Sequence, residues 1–159
     1  MMEDDDLSAG PDLISISSAS KDDAVEIALV FRQSFRAALP YLPELHTPDE
    51  DLQFFSENVL VNNEVFVAKN AEKRIVGFIA FDDQWVHHLY LLPENLRKRI
   101  GEQLLNIAKE KRSRLHLWAF QKNERARRFY EKHGFVAVKF TDGADNEEKE
   151  PDVLMEWSK

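Results

Sequence analysis

The segment "NERARRFYEKHGF", residues 123–135, is the most informative stretch of this sequence. It is rich in helix-forming residues and ends near Gly134, which is typical of a helix followed by a glycine stop. Asn123 and Tyr130 lie seven residues apart, so a helix brings them to within about 20° of each other, and Ala126 lies near the same line. An amide, a methyl group and a phenol therefore share one face. The first question is what that face contacts.

The composition indicates one globular domain. The chain has 159 residues, of which 43% are hydrophobic and 31% are charged, and this is enough for a sizeable core. Cysteine is absent, which excludes disulfides and cysteine nucleophiles and suits a reducing cytoplasm. The net charge of −8 argues against nucleic-acid binding, and no apolar run is long enough to span a bilayer. We therefore expect a cytoplasmic enzyme or small-molecule binding module, with neither nucleic acid nor membrane as a partner.

Acidic residues crowd the start of the chain, where "MMEDDD" precedes Gly10 and Pro11. This composition predicts a flexible acidic tail over residues 1–11 and a single domain over residues 12–159. Within the domain, apolar patterns of strand and helix type follow the order β-α-α-β-β-β-α-β-α-β-β. Strands and helices interleaved in this way predict a mixed α/β domain.

A basic turn is the second informative pattern. The stretch "HLYLLPENLRKRIGEQLL", residues 88–105, is typical of a strand, a proline-led loop and a helix. A helix N-terminus offers free backbone N–H groups to an anion, and Arg97, Lys98 and Arg99 add positive charge there. The alternative is a solvated basic turn. The position between a strand end and a helix start favours a phosphate site, because phosphates bind there in α/β folds.

Together the two patterns resemble the GNAT superfamily of acyl-CoA N-acyltransferases. The loop fits the register of the family's phosphate loop, with Pro93 before it and Gly101 as its last glycine. The family's second signature is matched by Asn123, Ala126, Phe129, Tyr130, Glu131, Gly134 and Phe135. The order of elements agrees over about residues 12–157. The resemblance implies a single GNAT-like domain with a central, mostly antiparallel sheet flanked by about four helices.

The resemblance also implies acetyl-CoA as the cosubstrate, with no metal. Asn123 would hydrogen-bond the pantetheine arm, and the main chain of the third strand would pair with that arm like an added strand. Tyr130 would donate a proton to the leaving thiolate, a general-acid role that suits a phenol with a pKa near 10. The alternative is that Tyr130 is a core aromatic residue. The residues expected to bind the cosubstrate are Leu89, Tyr90, Leu91, Arg97, Lys98, Arg99, Ile100, Gly101, Glu102 and Asn123.

The phosphate loop departs from the family pattern at three positions. Leu96 stands where the family has Gln or Arg, Arg99 replaces the middle glycine, and Arg97 occupies a site that is commonly glycine. Glycine allows close backbone approach and unusual dihedral angles, whereas arginine adds bulk and a cation. Two functions therefore stay open: an acetyltransferase, and a catalytically weak CoA-binding or protein-interaction module with a degenerate phosphate loop.

The enzyme interpretation implies direct transfer of an acetyl group from acetyl-CoA to a primary amine in a ternary complex. The incoming ammonium must lose a proton, and histidine titrates in the useful range. His87 and His88 are adjacent on a predicted strand, so they point to opposite faces and one of them should reach the cleft. His46 is a weaker candidate, and in this family water often replaces the base, so the base stays open.

The loop between the last two predicted strands indicates which kind of acceptor amine the protein would bind. In relatives this loop shapes the acceptor pocket, and clustered acids attract cationic ligands. The acids in question are Asp142, Asp145, Glu147, Glu148 and Glu150. We therefore expect a positively charged amine, either a small molecule or a peptide; the alternative is a solvated loop. The histidines show no metal-ligand spacing, and both a monomer and a homodimer remain open.

Overall fold

The computed structural model describes residues 13–159, so the predicted tail over residues 1–11 lies outside the described residues. The strands are β1 (Ser15–Ser18), β2 (Glu64–Lys69), β3 (Ile75–Phe81), β4 (Val86–Leu91), β5 (Arg114–Phe120), β6 (Val136–Phe140) and β7 (Asp152–Ser158). The α-helices are α1 (Ala24–Ala38), α2 (Pro48–Phe54), α3 (Leu60–Asn62), α4 (Ile100–Lys111) and α5 (Glu124–Lys132). The predicted order of elements and the mixed α/β class are confirmed.

The second predicted helix is continuous but not uniform. It begins with a capping box, in which the Glu50 N–H donates to Thr47 Oγ1 over 3.1 Å and the Thr47 N–H donates to Glu50 Oε1 over 2.8 Å. A π-helical segment, Phe55–Val59, then joins α2 to α3. Single π-helical turns inside α-helices are frequent near functional sites, and this one directs Phe55 into the core.

The sheet is antiparallel, as predicted, but divided in two. One part has four strands in the order β1-β2-β3-β4, and the other has three in the order β5-β7-β6. The two parts meet at an isolated parallel bridge between Trp85 and His116, where the His116 N–H donates to the Gln84 carbonyl over 2.8 Å. Beyond this bridge β4 pairs with β3 and β5 pairs with β7. A gap therefore opens between β4 and β5.

Two hydrophobic cores pack against the sheet. The first packs α1 and the π-helical segment against the four-stranded part, with Ile27, Phe55 and Phe78 fully buried. The second packs α4 against both parts of the sheet, with Leu104 and Met155 fully buried. Each such side chain contributes about 1.5–3 kcal/mol through burial, so the two cores stabilise both parts of the sheet. Among the described residues, the helices are too short or too polar to cross a bilayer.

Candidate active site

A cavity of about 490 Å³ occupies the gap between β4 and β5. Residues of α1, β4, β5 and α5 line it, together with the loop over residues 141–151, here called the acidic loop. Asn123, Ala126 and Tyr130 all line this cavity. The helix face that carries Asn123, Ala126 and Tyr130, predicted from their spacing, therefore points into the gap between the two parts of the sheet.

Asn123 occupies the N-cap of α5. Its Oδ1 accepts the Ala126 N–H over 3.3 Å, as N-cap asparagines commonly do. The side-chain oxygen is therefore engaged in starting the helix. The Nδ2 group of the same amide provides the two donors that Asn123 can offer to a ligand in the cavity.

Tyr130 is half-buried at the cavity wall. Its ring packs against Phe129 and Phe135, with centroid distances of 5.3 and 5.5 Å. Burial raises the pKa of the Tyr130 phenol, and the neighbouring Tyr90 adds to the rise. Tyr130 therefore keeps its proton throughout the physiological pH range, as a proton donor must.

The main chain of β4 faces the gap at alternate residues. The Leu92 N–H donates to the Val76 carbonyl over 2.9 Å, and Tyr90 lies opposite Phe78 in the register with β3. Because alternate residues of a strand direct their N–H and C=O groups to opposite sides, the main chain of Leu89 and Leu91 points into the gap. The main chain of Tyr90 points to β3 instead. Main-chain pairing with the cosubstrate was expected for all three residues. It stays a prediction for Leu89 and Leu91, whose main-chain groups face the gap, and no longer includes Tyr90.

Ser34 of α1 already contacts this edge. The buried Ser34 hydroxyl donates to the Leu91 carbonyl over 2.6 Å. A carbonyl oxygen has two lone pairs, so a second donor can still reach Leu91. Nothing in the sequence singled out Ser34, because its contact depends on how α1 packs across β4.

His87 and His88 occupy different surroundings, although both line the cavity. His87 Nε2 lies 2.7 Å from Asp82 Oδ2 on an exposed face. His88 lies among aromatic rings, including Phe55 at 5.2 Å, and its Nδ1 is buried without a hydrogen-bond partner. Burial lowers the pKa of His88 from 6.5 to about 4, with a smaller contribution from His87. His88 is therefore neutral at pH 7.

The basic turn has the backbone of a glycine loop. Arg97 has φ 66° and Arg99, the N-cap of α4, has φ 63°, both in the left-handed region that glycine adopts most readily. The side chains of Arg97, Lys98 and Arg99 are exposed. Arg99 makes no side-chain cap, so the first N–H groups of α4 keep the anion-binding character of a helix start.

The first turn of α4 meets α5 and β4 at Gly101. A Cβ atom at Gly101 would lie 3.4 Å from both Leu91 Cδ1 and Phe129 Cζ, so the glycine allows close approach of the three elements. The Ile100 side chain is buried in the core, and Glu102 is half-buried. Ile100 and Gly101 can therefore contact a ligand only through their main-chain groups.

The acidic loop reaches the cavity at three of its predicted acids, Asp142, Asp145 and Glu148. The other two have partners elsewhere: Glu147 Oε2 lies 2.8 Å from His46 Nε2, and Glu150 Oε2 lies 3.6 Å from Lys122 Nζ.

Asp152, which sequence reasoning missed, holds the acidic loop in place. Its buried carboxylate accepts the Thr141 hydroxyl and, over 3.1 Å, the Asn146 Nδ2 group. Its carbonyl oxygen accepts Gln121 Nε2 over 3.0 Å. Within residues 13–159, no group of three or more His, Cys, Asp or Glu side chains could hold a metal ion.

Comparisons with known proteins give a domain match and a shared fold. Residues 61–137 match the acetyltransferase (GNAT) domain. YjaB from Escherichia coli, in its apo form, is similar with a TM-score of 0.74 and 23% identity, over 91% of this chain and 97% of its own. PaiA N-acetyltransferase from Thermoplasma acidophilum, solved in complex with coenzyme A, has a TM-score of 0.74 and 23% identity, over 92% of this chain and 99% of its own.

A third structure agrees with these two. An acetyltransferase of the GNAT family from Staphylococcus aureus has a TM-score of 0.72 and 16% identity, over 92% of this chain and 99% of its own. The comparison with curated proteins found no match. At these identities the solved structures establish the fold alone.

Proposed function

We propose that this chain, which carries the domain match and the fold of the GNAT acetyltransferases, transfers an acetyl group from acetyl-CoA to a primary amine. Transfer would be direct, within a ternary complex. The observation that carries the proposal is the stripe of Asn123, Ala126 and Tyr130, which lines the same gap as the main-chain edge of β4. A strand edge and a helix face that line one gap suit an extended arm with amide groups and a thioester at its end.

The residues present fit coenzyme A. The Leu89 and Leu91 main chain can pair with pantetheine amides in the manner of an added strand, and Asn123 Nδ2 can donate to a carbonyl of the same arm. The N-terminus of α4 provides N–H groups and a positive dipole end for the pyrophosphate. Arg97 and Arg99 add cations beside it without filling it, because both side chains are exposed.

The proposed reaction needs proton transfer at two atoms, the acceptor nitrogen and the thioester sulfur. The acceptor enters as an ammonium ion, gives one proton to a histidine or to water, and attacks the thioester carbonyl carbon with its lone pair. The nitrogen of the resulting tetrahedral intermediate loses a second proton to solvent, and solvent returns one proton to Tyr130 after the reaction. When the intermediate collapses, the C–S bond breaks and the thiolate needs a proton. Tyr130 supplies it, because its phenol is protonated at pH 7 and a thiol pKa of about 8.5 suits the transfer.

The acceptor side favours a cationic amine. Asp142, Asp145 and Glu148 line the cavity and give it a negative potential, offset in part by Lys139. Trp118 lines the same region, is 48% exposed, and stacks on Trp85 with an interplanar angle of 11°. An exposed indole face attracts cations, so the three carboxylates and the Trp118 ring both favour a positively charged acceptor.

The second candidate is a catalytically weak CoA-binding or protein-interaction module. It is favoured by Leu96, Arg97 and Arg99, which depart from the usual phosphate-loop residues. The left-handed backbone at Arg97 and Arg99 weakens this alternative, because the loop keeps the conformation that glycine would give it.

Two measurements separate the candidates. Calorimetric titration with acetyl-CoA and with CoA tests binding, and release of free thiol in the presence of an amine panel tests transfer. The enzyme requires both binding and amine-dependent thiol release. Binding without thiol release supports the CoA-binding module, and absence of binding contradicts the enzyme and leaves the protein-interaction module.

A further inference from the structure

Two loops that line the cavity also contact each other. We call residues 39–47, between α1 and α2, the α1–α2 loop. Its first residue, Leu39, lines the cavity, and so does Asn146 of the acidic loop. Glu147, the next residue of the acidic loop, places its Oε2 2.8 Å from His46 Nε2. The His46–Glu147 contact therefore joins the acidic loop to the segment that leaves α1.

Arg32 of α1 fixes the position of His46. Its guanidinium group donates to the His46 carbonyl oxygen over 3.1 Å and to Asp51 Oδ2 over 2.6 Å. It also lies 3.2 Å from Glu44 Oε1 within the α1–α2 loop. Asp51 is buried, and hydrogen bonds between charged groups are among the strongest in proteins. The main chain of His46 is therefore held in place independently of Glu147.

The acidic loop is held at several points around Glu147. Asn146 Nδ2 donates to the Glu150 carbonyl oxygen over 2.7 Å, and the Glu150 N–H donates to Asn146 Oδ1 over 3.2 Å. At Gly143 a Cβ atom would lie 2.4 Å from the main chain of Glu150, so the loop closes here because the residue is glycine. An exposed ion pair by itself holds two segments weakly. The His46–Glu147 contact instead joins two loops that are each fixed already.

A second contact joins the same two loops through Lys122. Its Nζ lies 5.1 Å from the ring centroid of Tyr41 in the α1–α2 loop, and 3.6 Å from Glu150 Oε2 in the acidic loop. Lys122 directly precedes Asn123, which lines the cavity. The α1–α2 loop is therefore connected to the acidic loop at two places, once directly and once through a cation beside the cavity.

We propose that the His46–Glu147 contact limits the size of the acceptor, so that the protein acetylates small cationic amines and not lysine side chains within peptides. This inference rests on the proposed function and names its substrate class. Side-chain atoms 2.8 Å apart leave no space for a polypeptide to pass between the two loops. The cavity of about 490 Å³ has the size of a small-molecule site. A free diamine fits such a space, whereas a peptide must also place the residues on either side of its lysine.

The first test compares two acceptors of equal charge. One is 1,5-diaminopentane. The other is a pentapeptide blocked at both ends, with a central lysine and one arginine, so that each acceptor carries two positive charges. We expect kcat/KM of the wild-type protein to be about a hundredfold higher for the diamine than for the peptide. Equal values for the two acceptors would overturn the inference.

Removal of the His46–Glu147 contact should admit the peptide. Glu147→Ala should raise kcat/KM for the peptide about tenfold or more and change that for the diamine by less than about threefold. Loss of a carboxylate alone weakens the attraction for any cation, so a purely electrostatic role predicts a fall for both acceptors. Glu124→Ala, which removes an exposed carboxylate paired with Arg128 on α5, is the matched control. An unchanged preference in Glu147→Ala would overturn the role of the contact.

A covalent form of the same contact provides the opposite test. Because the chain contains no cysteine, a short bis-maleimide can join the two side chains of the double variant His46→Cys, Glu147→Cys selectively. Joining should restore the exclusion of the peptide and leave the rate with the diamine within about threefold of the unjoined variant. Loss of diamine acetylation on joining would show that the loops must part for every acceptor, which overturns the inference. This decision stands even if Glu147→Ala does not fold.

The outcomes also separate this inference from the proposed function. Wild-type transfer that is as efficient to the peptide as to the diamine removes the size limit and leaves the transferase intact. A wild-type protein that binds acetyl-CoA but transfers to no amine removes the transferase, and the size limit with it.

Discussion

The Ser34 hydroxyl donates a hydrogen bond to the Leu91 carbonyl over 2.6 Å, joining α1 to the edge of β4 that faces the gap. In the proposed complex this carbonyl is one of the acceptors for the pantetheine arm. Ser34 thus holds the strand edge in place and would share the Leu91 oxygen with the arm, which weakens the bond that the arm can form there.

Ser34→Ala should separate these two effects. In the free protein the Leu91 carbonyl loses its donor, which lowers the free energy of unfolding by about 1–2 kcal/mol. A bound pantetheine amide restores a donor, so we expect acetyl-CoA to bind the variant roughly twofold to fivefold more tightly. Chemical denaturation and calorimetry measure the two quantities. Ser113→Ala, at an exposed position between α4 and β5, is the control. Weaker acetyl-CoA binding by Ser34→Ala would show that the hydroxyl assists the ligand instead.

The Tyr130→Phe substitution keeps the aromatic ring and removes the phenolic hydroxyl group, which is the proposed general acid. We expect kcat to fall by at least about tenfold, toward the 10²–10⁴ range of general-acid effects, with little change in stability. Because the pKa of Tyr130 is raised, the acid form persists at alkaline pH, and wild-type kcat should show no loss from Tyr130 ionisation below about pH 10. Rate–pH profiles measure both effects. A wild-type rate in Tyr130→Phe would exclude the acid role.

The arginines of the basic turn should assist binding without blocking it. Both side chains are exposed, so Arg97→Gly combined with Arg99→Gly should leave acetyl-CoA affinity within a few fold of wild type and reduce its dependence on salt. Both residues have left-handed backbones, so glycine should also stabilise the fold by up to about 1 kcal/mol per site. Calorimetry at two salt concentrations and thermal unfolding test this. A hundredfold gain in affinity, about 2.7 kcal/mol, would mean that the arginines obstruct the phosphate site.

The acidic loop should select for charge in the acceptor. Amines that carry a second positive charge should react better than neutral or anionic ones, because the cavity potential raises their local concentration. Asp142→Asn with Asp145→Asn should raise KM for a dication roughly threefold to tenfold and leave a monoamine nearly unaffected. Glu72→Gln with Glu110→Gln changes the net charge equally at exposed positions elsewhere and is the control. A substrate panel in which neutral or anionic amines react best contradicts the prediction.

His88 should make stability depend on pH. Its pKa in the folded protein is about 4, below its ordinary value of 6.5, so the unfolded chain binds more protons between these values. The stability due to neutral His88 is present above pH 6.5 and is lost as pH falls toward 4, at most about 3 kcal/mol. His88→Phe should flatten this dependence in denaturant titrations, whereas His46→Gln should not. An unchanged slope in His88→Phe would assign the dependence to other groups.

The sequence predicts those parts of the site that follow from local periodicity. The resemblance to the GNAT superfamily, which was predicted largely from residues 123–135, is confirmed by the domain match and by the fold. The placement of Asn123 and Tyr130 on one cavity-lining face was predictable because helix geometry alone fixes it. That the acidic loop lines the cavity was expected from the resemblance, because in relatives this loop shapes the acceptor pocket.

Features that depend on long-range pairing were not predictable in this way. The direction of the Leu89 and Leu91 main chain depends on the register with β3, and a shift of one residue would reverse it. The division of the sheet requires β4 and β5 to part after the bridge at Trp85, for which there is no local signal. The left-handed backbone at Arg97 and Arg99 runs against residue preference, so it is imposed by the surrounding structure.

The open seam between β4 and β5 has a thermodynamic consequence. If the pantetheine arm occupies the seam as an extra strand, it links two sheet halves that otherwise share an isolated bridge, and bound acetyl-CoA then stabilises the folded state. At a ligand concentration of 100 times Kd, the folded state gains about 2.7 kcal/mol. Amide hydrogens of Leu89 and Leu91 should exchange slowly with solvent when acetyl-CoA is plentiful and quickly during starvation, so the stability of the fold would follow the metabolic state of the cell.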